Sequence, residues 1–407
     1  MKILHTSDWH LGRMFGAVPL DDDQRAFLEW LVQFVAEQKV ELVVIAGDIY
    51  DRTVPRPESI PLFRNALNGM REAGTKVVAI TGNHDGADRV ASYGEMLDSS
   101  GIFIRGGYEG IGNPIRLEFS DGPLDIVPLP YLQPQAAPDG LQVHETATTG
   151  PETGNPLFSS TEAAFQRRLR HTHASVLEAA IGAAKPHLNA PRSLAIAHAF
   201  VGGATTSDSE RALSIGGADQ VPVDLFDGFS YTALGHLHRP QNVGGRLNLR
   251  YSGTPLAYSF SEDHEKSITL LEMAPDGALT TIEEVKVPVG RPVYTLLPAR
   301  IDDLLAATPT EAQRNSFVRA VITDSSVVLD AKRRLSVLYP HVVEIEMKPQ
   351  AEDGTELVAT GAPTNRGSLK PMELFDRFWH YSTGESPTAD QRRLAEAGFA
   401  AAATEEA

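Results

Sequence analysis

The chain of 407 residues contains no cysteine. That excludes disulfides, thiolate zinc sites and a cysteine nucleophile. Any metal must then be held by carboxylates, imidazoles and amides, a donor set open to manganese, magnesium, iron or zinc. Positive charge is also scarce: 36 Lys and Arg stand against 53 Asp and Glu, a formal charge of −17. This balance argues against a strongly basic DNA-binding surface. It leaves a phosphodiester substrate open, because two divalent ions supply about +4 while two carboxylates and one hydroxide remove about 3. No apolar run approaches the roughly 18 residues of a membrane span, and Met1 leads directly into a strand without a signal-peptide pattern. A cytoplasmic protein is expected, with no membrane partner. There is no Gly-x-x-x-x-Gly-Lys-Ser/Thr loop for nucleotide hydrolysis, no internal repeat and no heptad run.

What is present begins in the first dozen residues. Ile3–Thr6 reads as a short buried strand, followed at once by Asp8 and His10. If the segment stays extended, these two side chains project to the same side. An Asp-x-His pair alone proves little. Four further stretches have the same build: Gly47-Asp48, Gly82-Asn83-His84-Asp85, His198 and Gly235-His236-Leu237-His238. Each follows an apolar run, namely Val40–Ala46, Lys76–Ile80, Ser193–Ala197 and Tyr231–Leu234, short and aliphatic like buried parallel strands. Ligands of open α/β sheets collect outside the carboxyl ends of strands. Gly-Asp and Gly-Asn are also ordinary turn residues after strands, so any single motif fits a turn. Five together point to one shared centre.

Two ions about 3.5–4 Å apart need a shared carboxylate and separate ligands on each side. Asp48 is the candidate bridge, with Asp8, His10 and His238 completing one ion and Asn83, His198 and His236 the other. Mixed oxygen and nitrogen donors suit Mn2+ well. A hydroxide between two such ions would attack phosphorus in line with the departing oxygen. His84 is the candidate to protonate that oxygen, with Asp51 or Asp85 orienting it; it also fits an extra ligand or a turn residue. Arg52 is placed to touch a phosphate oxygen or to form an exposed ion pair. Arg13, Arg56 and Arg89 flank the site as backbone-holding groups or as solvated loop residues. His5, His144, His171, His173, His187, His264, His341 and His380 fit no ligand position; His171 and His173 read as a solvated helix face beside Arg167, Arg168 and Arg170.

Helical spacing of Phe27, Leu28, Leu31, Phe34 and Val35 predicts a helix over Gln24–Glu37 after a loop, and a second runs over Glu58–Ala73. Short strands follow from about Ile102 to Leu132. Gln133–Thr161 reads as a mobile insertion, Glu162–Ala184 as helix and Gly202–Gly217 as a surface loop. Arg250–Glu262 and Ser267–Glu272 are strand-like and finish a second sheet. From about Val293 a small α/β module alternates Val293–Leu297, Ile301–Ala306, Phe317–Ile322, Val328–Leu338 and Val342–Met347. A polar linker, Gln350–Pro371, leads to the apolar segment Glu373–Tyr381 and an Ala/Glu-rich tail.

The ordered set Asp8-x-His10, Gly47-Asp48-Ile49-Tyr50-Asp51-Arg52, Gly82-Asn83-His84-Asp85, His198 and Gly235-His236-Leu237-His238 resembles the calcineurin-like metallophosphoesterase superfamily. Within it, His5-Thr6-Ser7-Asp8-Trp9-His10-Leu11-Gly12 and the stretch from Tyr251 to Glu262 resemble the SbcD family of nuclease subunits. The module from about residue 290 is similar to that family's capping domain. The resemblance implies an α/β fold, a calcineurin-like β-sandwich flanked by helices with a small α/β capping domain. Its domains would be a nuclease domain over 1–288, a capping domain over 289–349 and a partner-docking segment over 350–407. It further implies two divalent metal ions, a double-strand 3′–5′ exonuclease and single-strand endonuclease, DNA as substrate and a homodimer. The expected partner is an SbcC-type coiled-coil ATPase, in an SbcCD-type complex for DNA repair, recombination and replication. Glu373–Tyr381 would dock on that ATPase or pack on the capping module. Asp51 would pair with His84. The competing readings are an esterase for small phosphodiesters or phosphoproteins, and a scaffold without catalysis.

Overall fold

The computed structural model describes residues 1–138, 141, 171–206, 210, 220–326, 328–350, 371–383 and 386–405. The chain forms two compact units, Met1–Val293 and Tyr294–Ala407. The first begins with β1 (Lys2–Thr6), a ribbon of β2 (Met14–Phe15) and β3 (Val18–Pro19), α1 (Asp21–Gln38) and β4 (Leu42–Ala46). Next come α2 (Ser59–Glu72), β5 (Lys76–Ile80), α3 (Ala87–Ala91), α4 (Gly94–Leu97) and β6 (Ile102–Arg105). β7 (Ile115–Phe119), β8 (Gly122–Leu129), α5 (His173–Ala184), β9 (Ser193–His198) and β10 (Tyr231–Gly235) follow. The unit closes with β11 (Gln241–Val243), β12 (Arg246–Tyr251), β13 (Ser267–Met273) and β14 (Leu279–Lys286).

Among the described residues these strands make two six-stranded sheets, ordered β14-β13-β1-β4-β5-β6 and β11-β12-β10-β9-β8-β7. The sheets pack face to face. Ile3, Leu42, Val44, Ala46, Val78 and Ile80 from one share a core with Leu124, Ile126, Leu194, Ile196 and Ala233 from the other. The remaining faces are covered by helices; Val176, Leu177, Ala180 and Ile181 of α5 pack on the second sheet. Central strands are thus buried on both faces, which is why β4 reads Leu-Val-Val-Ile-Ala without polar alternation. β1, β4, β5 and β6 run parallel, as do β8, β9, β10 and β12. Parallel neighbours put their carboxyl ends on one edge, and the five ligand stretches leave from there.

Several expectations change. β13 pairs antiparallel with β1, so Ser267–Met273 belongs to the first sheet and not to a second one. The strand expected over Arg250–Glu262 ends at Tyr251, and the buried Ser252, Thr254, Leu256 and Tyr258 beyond it are irregular backbone. α1 starts at Asp21, three residues early, because Asp21, Asp22 and Asp23 favour the positive end of the helix dipole. Of the helix expected over Glu162–Ala184, α5 supplies His173–Ala184. Residues 142–170 lie outside the described residues, and with them most of the Gln133–Thr161 insertion. The same holds for 207–209 and 211–217 of the expected surface loop and for 351–370 of the linker.

The second unit carries a three-stranded sheet of β15 (Val293–Thr295), β16 (Phe317–Ile322) and β17 (Val342–Met347). α6 (Ile301–Ala306), α7 (Glu311–Arg314) and α8 (Ala331–Leu335) accompany it, and Leu296, Ile301, Leu304, Val318, Ala320, Leu335 and Tyr339 form its core. The helix expected over Val328–Leu338 is only the five residues of α8. Glu373–Tyr381 lies inside α9 (Pro371–Thr383), whose Leu374 and Phe378 are exposed; α10 (Ala389–Glu405) ends the chain, joined to α9 by Arg392 and Asp376. No described helix is long and apolar enough to cross a membrane.

Candidate metal centre

The turns after β1 and β4 are laced together: the Asp8 amide donates to the Gly47 carbonyl at 3.0 Å and the His10 amide to the Asp48 carbonyl at 2.9 Å. The second sheet is tied in by the His236 amide, which donates to both oxygens of Asp8 at 3.1 Å. This lacing bends the chain. Asp8, His10, Asp48 and His236 all have positive φ, at 54°, 44°, 50° and 106°. Asp8 and His10 therefore do not meet as neighbours on an extended strand, as their spacing suggested. Their side chains converge because two left-handed residues turn the backbone, a conformation that costs energy and clusters at functional sites. Gly235 permits the closest approach: a Cβ there would lie 1.8 Å from the Ala46 carbonyl oxygen.

Donor atoms gather in overlapping groups, each within 4.8 Å: Asp8, His10 and His238; Asp8, Asp48 and His198; His10, Asp48 and His84. One Asp48 oxygen, Oδ2, lies 3.6 Å from His10 Nε2 and 3.5 Å from His198 Nε2, the position of a shared ligand. Asn83 Oδ1 stands 2.9 Å from His198 Nε2 and 3.3 Å from His236 Nδ1. The seven expected ligands are thus brought together, with Asp48 between the two groups.

Their electrostatics fit a cation. His10 is fully buried and neither ring nitrogen has a hydrogen-bond partner among the described residues, which costs about 1–3 kcal/mol if nothing fills the role. His198 has its Nδ1 against the Ala46 carbonyl at 2.9 Å. Donation there leaves an Nε2 lone pair facing the acceptors of Asn83 and Asp48. Burial pushes the imidazoles of His10, His198 and His236 down, so they are neutral. Burial, with the nearby Asp48 carboxylate, pushes Asp8 well up. Neutral imidazole lone pairs beside two carboxyl groups whose charges repel without a cation between them are the donor set of divalent metal sites.

His84 sits at the rim. Its amide donates to Asp48 Oδ1 at 2.9 Å, and its Nδ1 faces the Asp51 backbone carbonyl at 2.9 Å, leaving Nε2 4.0 Å from Asp48. Neither expected carboxylate orients the ring. Asp51 turns its carboxylate to Arg13 at 3.3 Å, Arg52 at 3.7 Å and His10 Nδ1 at 3.8 Å. Asp85 is used up by the amides of Ile49, Tyr50 and Gly82, and burial together with Asp48 pushes its carboxyl to about 7. Among the arginines, Arg56 pairs with Asp21 and Glu58, Arg89 donates to the Thr53 carbonyl, and Arg13 lies over the Tyr258 ring. Arg52 is exposed, 70% in its side chain.

Some residues escaped sequence reasoning. Gln24 receives the Gly12 amide and donates to the His10 carbonyl, which fixes the first ligand turn. Glu262 faces His238 Nδ1 at 3.2 Å and so can hold the tautomer with Nε2 available. Its place in the quoted Tyr251–Glu262 stretch was the available signal. His173 does not lie on a solvated face; it is 1% exposed. His5 donates or accepts within the core, against Tyr231 and the Leu234 carbonyl, as a structural histidine does.

Comparison with known proteins gives matches at the level of whole domains. Residues 1–174 match the calcineurin-like phosphoesterase family. Residues 290–383 match the SbcD C-terminal domain, described as the type 5 capsule protein repressor C-terminal domain. A solved structure titled "GAP50 the anchor in the inner membrane complex of Plasmodium" is similar over 87% of this chain and 98% of its own. The identity is 9% and the TM-score 0.36. With both domain types in one chain, it belongs to the SbcD-type calcineurin-like metallophosphoesterases, which are metal-dependent phosphodiesterases.

Proposed function

We propose that the protein is a DNA nuclease, a double-strand 3′–5′ exonuclease and single-strand endonuclease, using two Mn2+ ions. The observation that carries this reading is the seven-residue donor set around Asp48 in a chain that also bears an SbcD C-terminal domain. Asp8, His10 and His238 would hold one ion, Asn83, His198 and His236 the other, with Asp48 shared. Bound divalent ions acidify a water and draw charge from phosphoryl oxygens. The chain supplies the rest. His84, with its Nδ1 on the Asp51 carbonyl, turns Nε2 toward the departing oxygen and is the group that donates a proton to it. Asp51 acts through that carbonyl and by drawing Arg13 and Arg52 to the rim, where Arg52 is exposed enough to meet a phosphate. Arg13, Arg56 and Arg89 shape the flanking loops.

The division of labour follows from charge. An acidic chain without a nucleotide-binding loop fits a nuclease domain (1–288) with a capping domain (289–349) and a docking segment (350–407) serving an SbcC-type coiled-coil ATPase, in a complex containing two copies of this chain. The test uses full-length protein with Mn2+ on end-labelled duplex DNA, beside His84→Gln and a generic phosphomonoester. Nucleotide release that falls about 10²–10⁴-fold in the variant, with Mn2+ affinity retained, is expected. Phosphomonoester turnover alone, or no turnover even with the ATPase added, refutes the nuclease.

A further inference from the structure

Among the described residues His173 is a buried histidine near the centre that, unlike His5 with its core partners, has no role in the mechanism above. It is 1% exposed, and neither Nδ1 nor Nε2 has a hydrogen-bond partner among the described residues. Burial lowers its pKa to about 3, so the ring is neutral and carries one N–H and one lone pair. An orphan of this kind is destabilising, a penalty that an apolar ring of the same size would avoid.

The fold puts this ring beside the second group of ligands. β8 and β9 run parallel with Leu129 opposite Ala197, so the turn after Leu129 lies alongside His198. In that turn the Tyr131 amide donates to the Thr81 carbonyl at 2.9 Å, two residues before Asn83. The His173 ring packs on Tyr131, with centroids 5.1 Å apart. His198 lies near enough to disfavour protonation of His173, and His173 to disfavour that of His236. His173 does not join any group of metal-ligating atoms among the described residues. His173 is also the first residue of the twelve-residue α5, whose Thr172–Ser175 capping box satisfies the Ser175 amide. The positive end of the helix dipole therefore sits where the imidazole does, which favours an anion.

We infer that His173 binds substrate: its ring N–H donates to a non-bridging phosphate oxygen of the phosphodiester held on the Asn83–His198–His236 side. The inference rests on reading the centre as a phosphodiesterase site. A structural histidine and a substrate-binding one respond oppositely to replacement. His173→Phe fills the same space without polar atoms, so as a substrate-binding position it gives an unchanged or higher Tm together with lower turnover.

The test uses the full chain with Mn2+, bis(p-nitrophenyl) phosphate and an end-labelled duplex, with Tm by calorimetry and Mn2+ affinity by titration. His173→Phe is expected to lose about 10–100-fold in kcat/KM on both substrates, as for one hydrogen bond to a charged oxygen, with Mn2+ affinity and Tm maintained. His173→Gln, which restores a donor, recovers most of the loss. Wild-type kcat/KM in His173→Phe overturns the inference. So does a tenfold or greater loss of Mn2+ affinity, which makes His173 a ligand, or a lower Tm in both variants, which makes it structural. Wild-type protein that cleaves neither substrate removes the phosphodiesterase reading itself, and this inference with it.

Discussion

Replacing Glu262 by Gln separates what that carboxylate does for His238 from what it does for the fold. Glu262 is 1% exposed. It accepts from Thr254 Oγ1 at 3.0 Å and the Tyr258 amide at 3.3 Å, faces His238 Nδ1 at 3.2 Å, and pairs with Lys266. Burial opposes its charge, but the Lys266 ammonium and His238 outweigh that and hold its carboxyl well below the usual range. A carboxylate behind a metal-binding histidine fixes the tautomer and raises ligand basicity; its loss costs about 10–100-fold in metal affinity, or 1.4–2.7 kcal/mol. The stability effect is separate. Lys266 is 11% exposed in its side chain, and a buried cation left without its partner costs about 3–5 kcal/mol. Gln still accepts a hydrogen bond, so the low end is expected. Glu262→Gln should therefore lose about 3 kcal/mol in urea unfolding and tenfold or more in Mn2+ affinity by titration calorimetry. Glu262→Gln with Lys266→Met should recover most of the stability and none of the affinity. Wild-type Mn2+ affinity in the single variant, or affinity regained in the double one, refutes the proposed coupling through His238.

Gly235→Ala drives a methyl to 1.8 Å from the Ala46 carbonyl, so β4 and β10 must separate; a loss of about 3 kcal/mol in chemical unfolding is expected, the upper range for overpacking, and an unchanged midpoint would contradict the geometry. Chelation should destabilise the metal-loaded protein: one ion at a hundred times its Kd adds about 2.7 kcal/mol, so Tm by calorimetry should fall on EDTA and return with Mn2+. The fully buried Arg192 holds the Asp121 carboxyl well below its usual range, chiefly by their hydrogen bonds. A depressed native pKa contributes stability above the unfolded carboxylate's pKa and loses it as pH falls through the native one. Asp121→Asn should thus be less stable than wild type at pH 7, and the gap should narrow from about pH 4 downward; a gap that widens in acid would reverse the assignment.

The apolar runs of β1, β4, β5, β9 and β10 were legible because strands buried on both faces need aliphatic residues throughout, and that demand is local. From those runs the ligand types and their order along the chain followed without a structure. The small module after Val293 was equally legible, since its strands and helices alternate at short range. Partnership was not. β13 reads like any strand, and only its register against Leu4 and His5 assigns it to the first sheet. The left-handed residues Asp8, His10, Asp48 and His236 are not themselves glycines, so nothing at those positions announces the conformation; amide hydrogen bonds between separate turns impose it. For the same reason His84 meets the Asp51 carbonyl and not its carboxylate, and His173, flanked in sequence by polar and charged residues, ends inside the protein. By itself the sequence determined which aliphatic runs are buried and which donors stand at strand ends, because periodicity reports the burial of apolar runs. Tertiary structure alone decided which groups face each other, because side-chain pairing depends on backbone angles set by contacts hundreds of residues apart.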